Sequence, residues 1–160
     1  MATLTKTQLE TFERDGYLLL ENAISPDMLS KLQRDFEQWK DESRQHQAAY
    51  GITYDGRPRF DLEPGHSAEQ PALRRIASPV EISENYLAAM RDNHALDAMQ
   101  DIFGPNIRFE NAKVNSKQPG AATEVKYHQD FAFEAHSNDD MMTVLFFIDD
   151  VTPENGPLKV

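Results

Sequence analysis

Two side chains able to bind a metal stand two residues apart in Tyr127-His128-Gln129-Asp130-Phe131. On an extended segment, residues i and i+2 point to the same face, so His128 and Asp130 would converge. A neutral imidazole and a carboxylate on one face are two of the three ligands of a 2-His-1-carboxylate triad. That triad holds non-haem Fe(II) with positions left open for substrate and oxygen. The bland alternative is a hydrogen-bonded pair on a surface or in a core, and a lone His-x-Asp does not exclude it. The chain contains no cysteine, so thiolate ligands and nucleophiles are excluded and any metal must take His, Asp, Glu or backbone donors. Among the other histidines, His136 follows in a polar stretch and does not extend the motif. His94 reads as a cap or surface residue.

Other residues could share a ligand with that pair. Lys117 is a cation suited to a carboxylate partner, and Asn115, two positions earlier, would share its face on a strand. Tyr127 and Gln129 alternate away from the His-Asp face and read as packing or supporting residues. Phe131 and Phe133 read as core.

The elements that position these residues fall into two regions. In the first, 1–104, helices dominate. Thr5 with Gln8 and Thr7 with Glu10 have capping-box spacing, Leu9 and Phe12 share a face, and Gly16 is a stop. Tyr17-Leu18-Leu19-Leu20 reads as a strand. Ser25 followed by Pro26 is a strong helix start, and Leu29, Leu32, Phe36 and Trp39 form the apolar stripe of an amphipathic helix. From 51 to 79 no period survives, and glycines and prolines punctuate what reads as a long loop. That loop holds Tyr54, Arg57, Arg59, Phe60, His66, Arg74 and Arg75, a set that could line a substrate entrance or simply be solvated. Ser83 caps a further helical segment, and another helix ends at Gly104-Pro105.

In the second region, 105–160, the texture is that of strands. Ile107-Arg108-Phe109-Glu110 alternates, 112–117 continues in an extended style, and Gln118-Pro119-Gly120 makes a turn. The segment 124–128 leads into the His-Asp pair, and 134–140 reads as a polar loop. The apolar run 141–148 reads as a strand buried on both faces, and Asn155-Gly156 is a hairpin turn before Leu158-Lys159-Val160 opens another strand. Helices first and strands last give an α+β class, with the strands as the opening of a jelly roll. Half a jelly roll would leave sheet edges bare, so 1–160 is expected to be one domain, the N-terminal portion of a longer protein.

Composition narrows the function class. A formal charge of −11 disfavours a nucleic-acid or anionic-membrane surface, since either needs a basic face. The first fifteen residues carry no apolar leader core and no segment approaches a membrane span, so a cytoplasmic protein is the default expectation.

Four stretches together resemble the phytanoyl-CoA dioxygenase family of Fe(II)- and 2-oxoglutarate-dependent oxygenases. They are Phe12-Glu13-Arg14-Asp15-Gly16-Tyr17-Leu18-Leu19-Leu20, Asn115-Ser116-Lys117-Gln118-Pro119-Gly120, Tyr127-His128-Gln129-Asp130 and Pro153-Glu154-Asn155-Gly156-Pro157-Leu158-Lys159-Val160. Their order and spacing match as well, so the resemblance covers nearly the whole chain. It implies a double-stranded β-helix with N-terminal helices packed on it. It also implies Fe(II) on His128 and Asp130, 2-oxoglutarate as cosubstrate near Lys117, and hydroxylation of a small organic substrate with O2. Asn115 and Thr143 are further candidates for touching the cosubstrate. The family's second histidine, and the arginine that pairs with the far carboxylate of 2-oxoglutarate, lie downstream of the Glu-Asn-Gly turn and so beyond Val160. Substrate identity and oligomeric state are not legible. Two other function classes stay open: a non-catalytic jelly-roll domain used for binding or assembly, and a cupin-like metalloprotein that does not use 2-oxoglutarate.

Overall fold

Helix α1, Lys6–Asp15, begins where the sequence places it. Thr5 is the N-cap, its hydroxyl accepts from the Gln8 N–H, and the Gln8 side chain accepts from the Thr5 N–H at 2.9 Å. Gly16 ends the helix at φ +77°, a left-handed conformation that suits glycine, and donates to the Phe12 carbonyl. Helix α2, Pro26–Ser43, starts on the Ser25 cap with Pro26 in its first turn. The computed structural model describes residues 3–118, 125–133, 136–138 and 140–159. The expected turn at Pro119-Gly120, the approach at Glu124, parts of the 134–140 loop and Val160 lie outside the described residues.

Four short strands follow α2 or interleave with the later helices: β1 Tyr50–Ile52, β2 Pro58–Leu62, β3 Leu73–Ala77 and β4 Lys113–Asn115. They form one antiparallel sheet in the order β1-β2-β3-β4. Helices α3, Glu84–Arg91, and α4, His94–Phe103, sit between β3 and β4, capped by Ser83 and Asn93. His94, expected at a helix junction, is the first residue of α4. The α+β class is therefore correct.

Register explains the core. Tyr50 pairs with Phe60, Phe60 with Ile76 and Ile76 with Val114, so one apolar row crosses all four strands. Trp39 from the α2 stripe packs on it with Phe60, Leu73 and Ile76, and Phe36 and Tyr86 close the sides. Trp39 lies 6.3 Å from the Phe60 ring and 5.2 Å from Tyr86, within the range of favourable aromatic pairs. Ser83 and Asn85 both hydrogen-bond Asp35, which ties α3 to α2.

Three expectations fail here. The 51–79 stretch is not a loop but carries β1 in part, β2 and β3. Its period was hidden because Arg59, beside core Phe60, is itself buried, at 5% exposure. Arg59 is paired with Glu81 and donates to the carbonyls of Ile52, Ala77 and Ser78. A tertiary partner thus makes a charged residue behave as an interior one. His66, assigned to the entrance set, donates from Nε2 to the carbonyls of Ser43 and His46, and its Nδ1 accepts from Ala72. It fastens 63–72 to the end of α2. Second, Tyr17–Leu20 and 107–110 form no strand, having no ladder partner among the described residues. Third, 141–148 is not a strand buried on both faces: exposure alternates from Met142 to Ile148, with Thr143, Leu145 and Phe147 outward.

Two stability outcomes follow in the intact protein. Arg59→Leu removes the buried cation that pairs with Glu81 and is expected to cost about 3 kcal/mol, read as a lower urea midpoint. Tyr50→Phe should act oppositely. The Tyr50 hydroxyl is buried with no partner among the described residues, and burial, with Glu42 nearby, pushes the phenol up to about 12. Removing that orphan is expected to raise stability by about 1 kcal/mol in the same titration.

Candidate metal and cosubstrate site

His128 and Asp130 are brought together by a turn rather than by a strand. Gln129 is extended, at φ −109° and ψ 128°, and Asp130 opens a 3-10 turn, Asp130–Ala132. The two flanking side chains meet on one side, with His128 Nε2 3.1 Å from Asp130 Oδ1. Each is about 40% exposed, 41% and 40% respectively, so the pair is reachable from solvent. An ion pair that open contributes less than about 1 kcal/mol, which does not make it a fold-holding contact.

The remaining donor atoms are already assigned. His128 Nδ1 lies 2.7 Å from the Lys126 carbonyl oxygen. A carbonyl only accepts, so Nδ1 carries the hydrogen and a neutral ring has its lone pair on Nε2. That lone pair faces a carboxylate oxygen, a repulsive arrangement unless a proton or a cation lies between them. Donors about 2.1 Å from a divalent cation, at a right angle, stand about 3.0 Å apart. The observed separation of 3.1 Å fits such a cation. On the other side of the carboxylate, Thr143 Oγ1 donates to Asp130 Oδ2 at 2.7 Å. The residues present therefore fit two positions of a metal centre, each ligand oriented by a hydrogen bond from its non-ligating atom. Among the described residues no group of three or more His, Cys, Asp or Glu converges on one point.

Lys117 and Asn115 do share a face. Lys113, Asn115 and Lys117 are exposed in alternation with half-buried Val114 and Ser116, and the Ser116 N–H continues the β3 pairing by donating to Arg74. The Lys117 ammonium donates to the Gly156 carbonyl. The Asn155-Gly156 turn is itself pinned by Asn155, whose side chain accepts from the Thr152 N–H at 3.0 Å and donates to the Asp150 carbonyl at 2.6 Å. Sequence reasoning saw the turn but not its hold on Lys117. Gly156 is the one available signal: its φ is +73°, and a Cβ there would stand 3.2 Å from the Lys117 Nζ.

Several assignments need correction. Phe131 and Phe133 are 40% and 75% exposed, not core. The Phe133 and His128 rings make a T-shaped contact, with centroids 5.7 Å apart. Tyr127 is 83% exposed, so the packing role expected of it has no contact to rest on. The arginines of the candidate entrance each meet an acid: Arg57 bonds Asp55, Arg59 pairs with Glu81, and Arg74 and Arg75 share Asp61. Hydrogen bonds from Arg57 first, then Thr53, hold the Asp55 carboxyl down at about 2. A cleft of about 260 Å³ lies between α2 and 147–150, lined by Leu29, Gln33, Phe147, Ile148, Asp149 and Asp150. It includes none of the candidate ligands.

With this geometry in hand, comparison with known proteins defines the class. Residues 12–160 match the family model described as phytanoyl-CoA dioxygenase (PhyH), and the chain belongs to that family. It is 29% identical over 143 residues to a probable alpha-ketoglutarate-dependent hypophosphite dioxygenase of Stutzerimonas stutzeri, covering 89% of this chain and 47% of the relative. It is 30% identical over 153 residues to L-proline trans-4-hydroxylase of Streptomyces griseoviridis, covering 93% and 51%. An ectoine dioxygenase of Streptomyces coelicolor is 24% identical over 123 residues, covering 77% and 37%. The chain thus spans about half the length of the first two of these relatives. No solved structure matches. Among the described residues no helix is long and apolar enough to cross a membrane.

The turn around Gly156 gives a local test. Gly156→Ala places a side chain in a left-handed conformation and against Lys117, and is expected to cost about 1 kcal/mol. Hydrogen exchange should speed up at the Asn155 amide, which closes the turn onto Thr152.

Proposed function

We propose that the protein is an Fe(II)- and 2-oxoglutarate-dependent oxygenase that hydroxylates a small organic substrate. The observation that carries the reading is the His128–Asp130 pair, whose Nε2 and Oδ1 stand 3.1 Å apart, a separation that suits two ligands of one cation. Membership of the phytanoyl-CoA dioxygenase family supports it, as do relatives whose names specify alpha-ketoglutarate dependence or hydroxylation.

Bound Fe(II) supplies the redox chemistry that couples decarboxylation of 2-oxoglutarate by O2, giving succinate and CO2, to substrate hydroxylation. The chain's own part is to hold and orient. Lys126 fixes the His128 tautomer through its carbonyl, so that Nε2 is presented as a donor without a proton. Asp130 presents Oδ1 as the anionic donor, matching the divalent charge. Lys117 offers an ammonium to a cosubstrate carboxylate, with Asn115 beside it on the same exposed row as a hydrogen-bond donor. The Gly156 carbonyl takes one of the three ammonium hydrogens and leaves two for that carboxylate.

The same reading extends to architecture. We take 1–160 as one domain, the N-terminal portion of a longer oxygenase, with 1–104 forming the helical region and 105–160 the first strands of a jelly roll. Support comes from relatives about twice as long and from the outward apolar side chains Val125, Leu145, Phe147 and Leu158, 68%, 54%, 53% and 56% exposed. So much apolar surface on one region is what a covering sheet would bury. The third iron ligand and the arginine for the far carboxylate of 2-oxoglutarate belong to that remainder. A cytoplasmic location is kept as part of this proposal. For the substrate, the acidic partners already held by Arg57, Arg59, Arg74 and Arg75 favour a compact molecule over a polyanionic thioester carrier. A second reading, a non-catalytic domain for binding or assembly, draws on the same exposed apolar side chains.

The test is succinate formation from 2-oxoglutarate by the full-length protein with Fe(II) and O2. His128→Ala and Asp130→Ala are each expected to lower it by roughly 100-fold or more, the scale of several kcal/mol of metal stabilisation. Turnover unchanged in both variants overturns the ligand assignment. A well-folded full-length protein with no turnover and no metal affinity favours the assembly reading.

A further inference from the structure

We infer that Thr143 is a positioning residue that holds Asp130 to one-oxygen coordination of the metal. The inference rests on the ligand reading above and adds a residue and a role to it. Its basis is the way the two carboxylate oxygens are divided. Oδ1 stands 3.1 Å from His128 Nε2, on the side where a cation would sit, while Oδ2 accepts the Thr143 hydroxyl at 2.7 Å. That length is typical of a hydroxyl bonded to an ionised carboxylate. The two residues are thirteen positions apart, so the contact is not a local turn habit but depends on how 141–148 is laid against the His-Asp turn.

The contact survives in the open. Thr143 is exposed, and its hydroxyl could be satisfied by water at almost no cost, yet it points at the carboxylate. Fold stability therefore gains little from it. What it controls is denticity. A carboxylate that swings both oxygens onto a cation takes two coordination positions, whereas a facial triad must leave positions open for cosubstrate and oxygen. With Oδ2 committed to Thr143, Asp130 has a single oxygen to give. Threonine suits this role because its β-branch restricts χ1, so the hydroxyl is pre-aimed. Valine keeps that shape without the donor, and serine keeps the donor with a looser rotor.

Metal and cosubstrate binding, not turnover, give the test, measured in the full-length protein by anaerobic titration calorimetry with Co(II), then with 2-oxoglutarate added to the Co(II) form. Thr143→Val is expected to weaken Co(II) by roughly 10-fold, the lower end for losing an outer hydrogen-bond partner of a ligand. Cosubstrate affinity should fall as well, because a two-oxygen Asp130 competes for its position. Thr143→Ser should bind Co(II) close to the natural protein. Asp130→Ala is measured alongside. If it binds Co(II) like the natural protein, the ligand reading fails and this inference fails with it. If Asp130→Ala is weakened while Thr143→Val keeps the natural 2-oxoglutarate affinity of the Co(II) form, the inference alone is overturned. Equal losses in Thr143→Ser and Thr143→Val overturn it too, since the hydroxyl would then not be the operative group.

Discussion

A backbone carbonyl can accept a hydrogen bond but cannot donate one, and at Lys126 that asymmetry governs the whole site. It places the His128 hydrogen on Nδ1, which turns the Nε2 lone pair toward Asp130 Oδ1 at 3.1 Å. A proton on Nε2 or a cation between the two atoms satisfies that arrangement. The lone pair, the carboxylate charge and the open surroundings then all suit a divalent cation. Phe133 makes a T-shaped contact with the ring, and Thr143 occupies the other carboxylate oxygen.

The scaffold beneath supplies rigidity where this arrangement needs it. The apolar row Tyr50, Phe60, Ile76 and Val114 fixes β4 in register against β3, and β4 runs directly into Asn115 and Lys117. On the other flank, Gln33 of α2 donates to the Ile148 carbonyl at 2.7 Å, which anchors the end of the segment that carries Thr143. Helix α2 and the sheet thus anchor the segments that carry Thr143 and Lys117. None of the polar contacts at the site itself is buried enough to stabilise the fold appreciably.

What was legible in the sequence was whatever is decided locally. Thr5, Ser25, Ser83 and Gly16 act where their neighbours alone predict, because a cap bonds within three or four residues. The His-Asp pair was legible for the same reason, although a 3-10 turn and not a strand closes it. What was hidden depends on partners far along the chain. Arg59 masked the strand period because its interior position depends on Glu81, and the arginine cluster read as an entrance because its acids were not visible as partners. The Thr143 contact to Asp130 was hidden, since sequence gives no way to know that 141–148 would lie over Asp130. Family resemblance reached further than periodicity did, and the match over 12–160 shows the family.

Everything proposed for the site depends on one cation between His128 Nε2 and Asp130 Oδ1. Its most direct measurement is the proton NMR spectrum of the Co(II)-loaded full-length protein, in which hydrogens on a ligating imidazole are shifted far from the normal range. Ligation by Nε2 predicts a shifted, exchangeable Nδ1–H signal, sheltered by its bond to the Lys126 carbonyl and absent in His128→Gln. A spectrum whose shifted imidazole signals persist unchanged in His128→Gln would place the metal elsewhere and contradict this assignment.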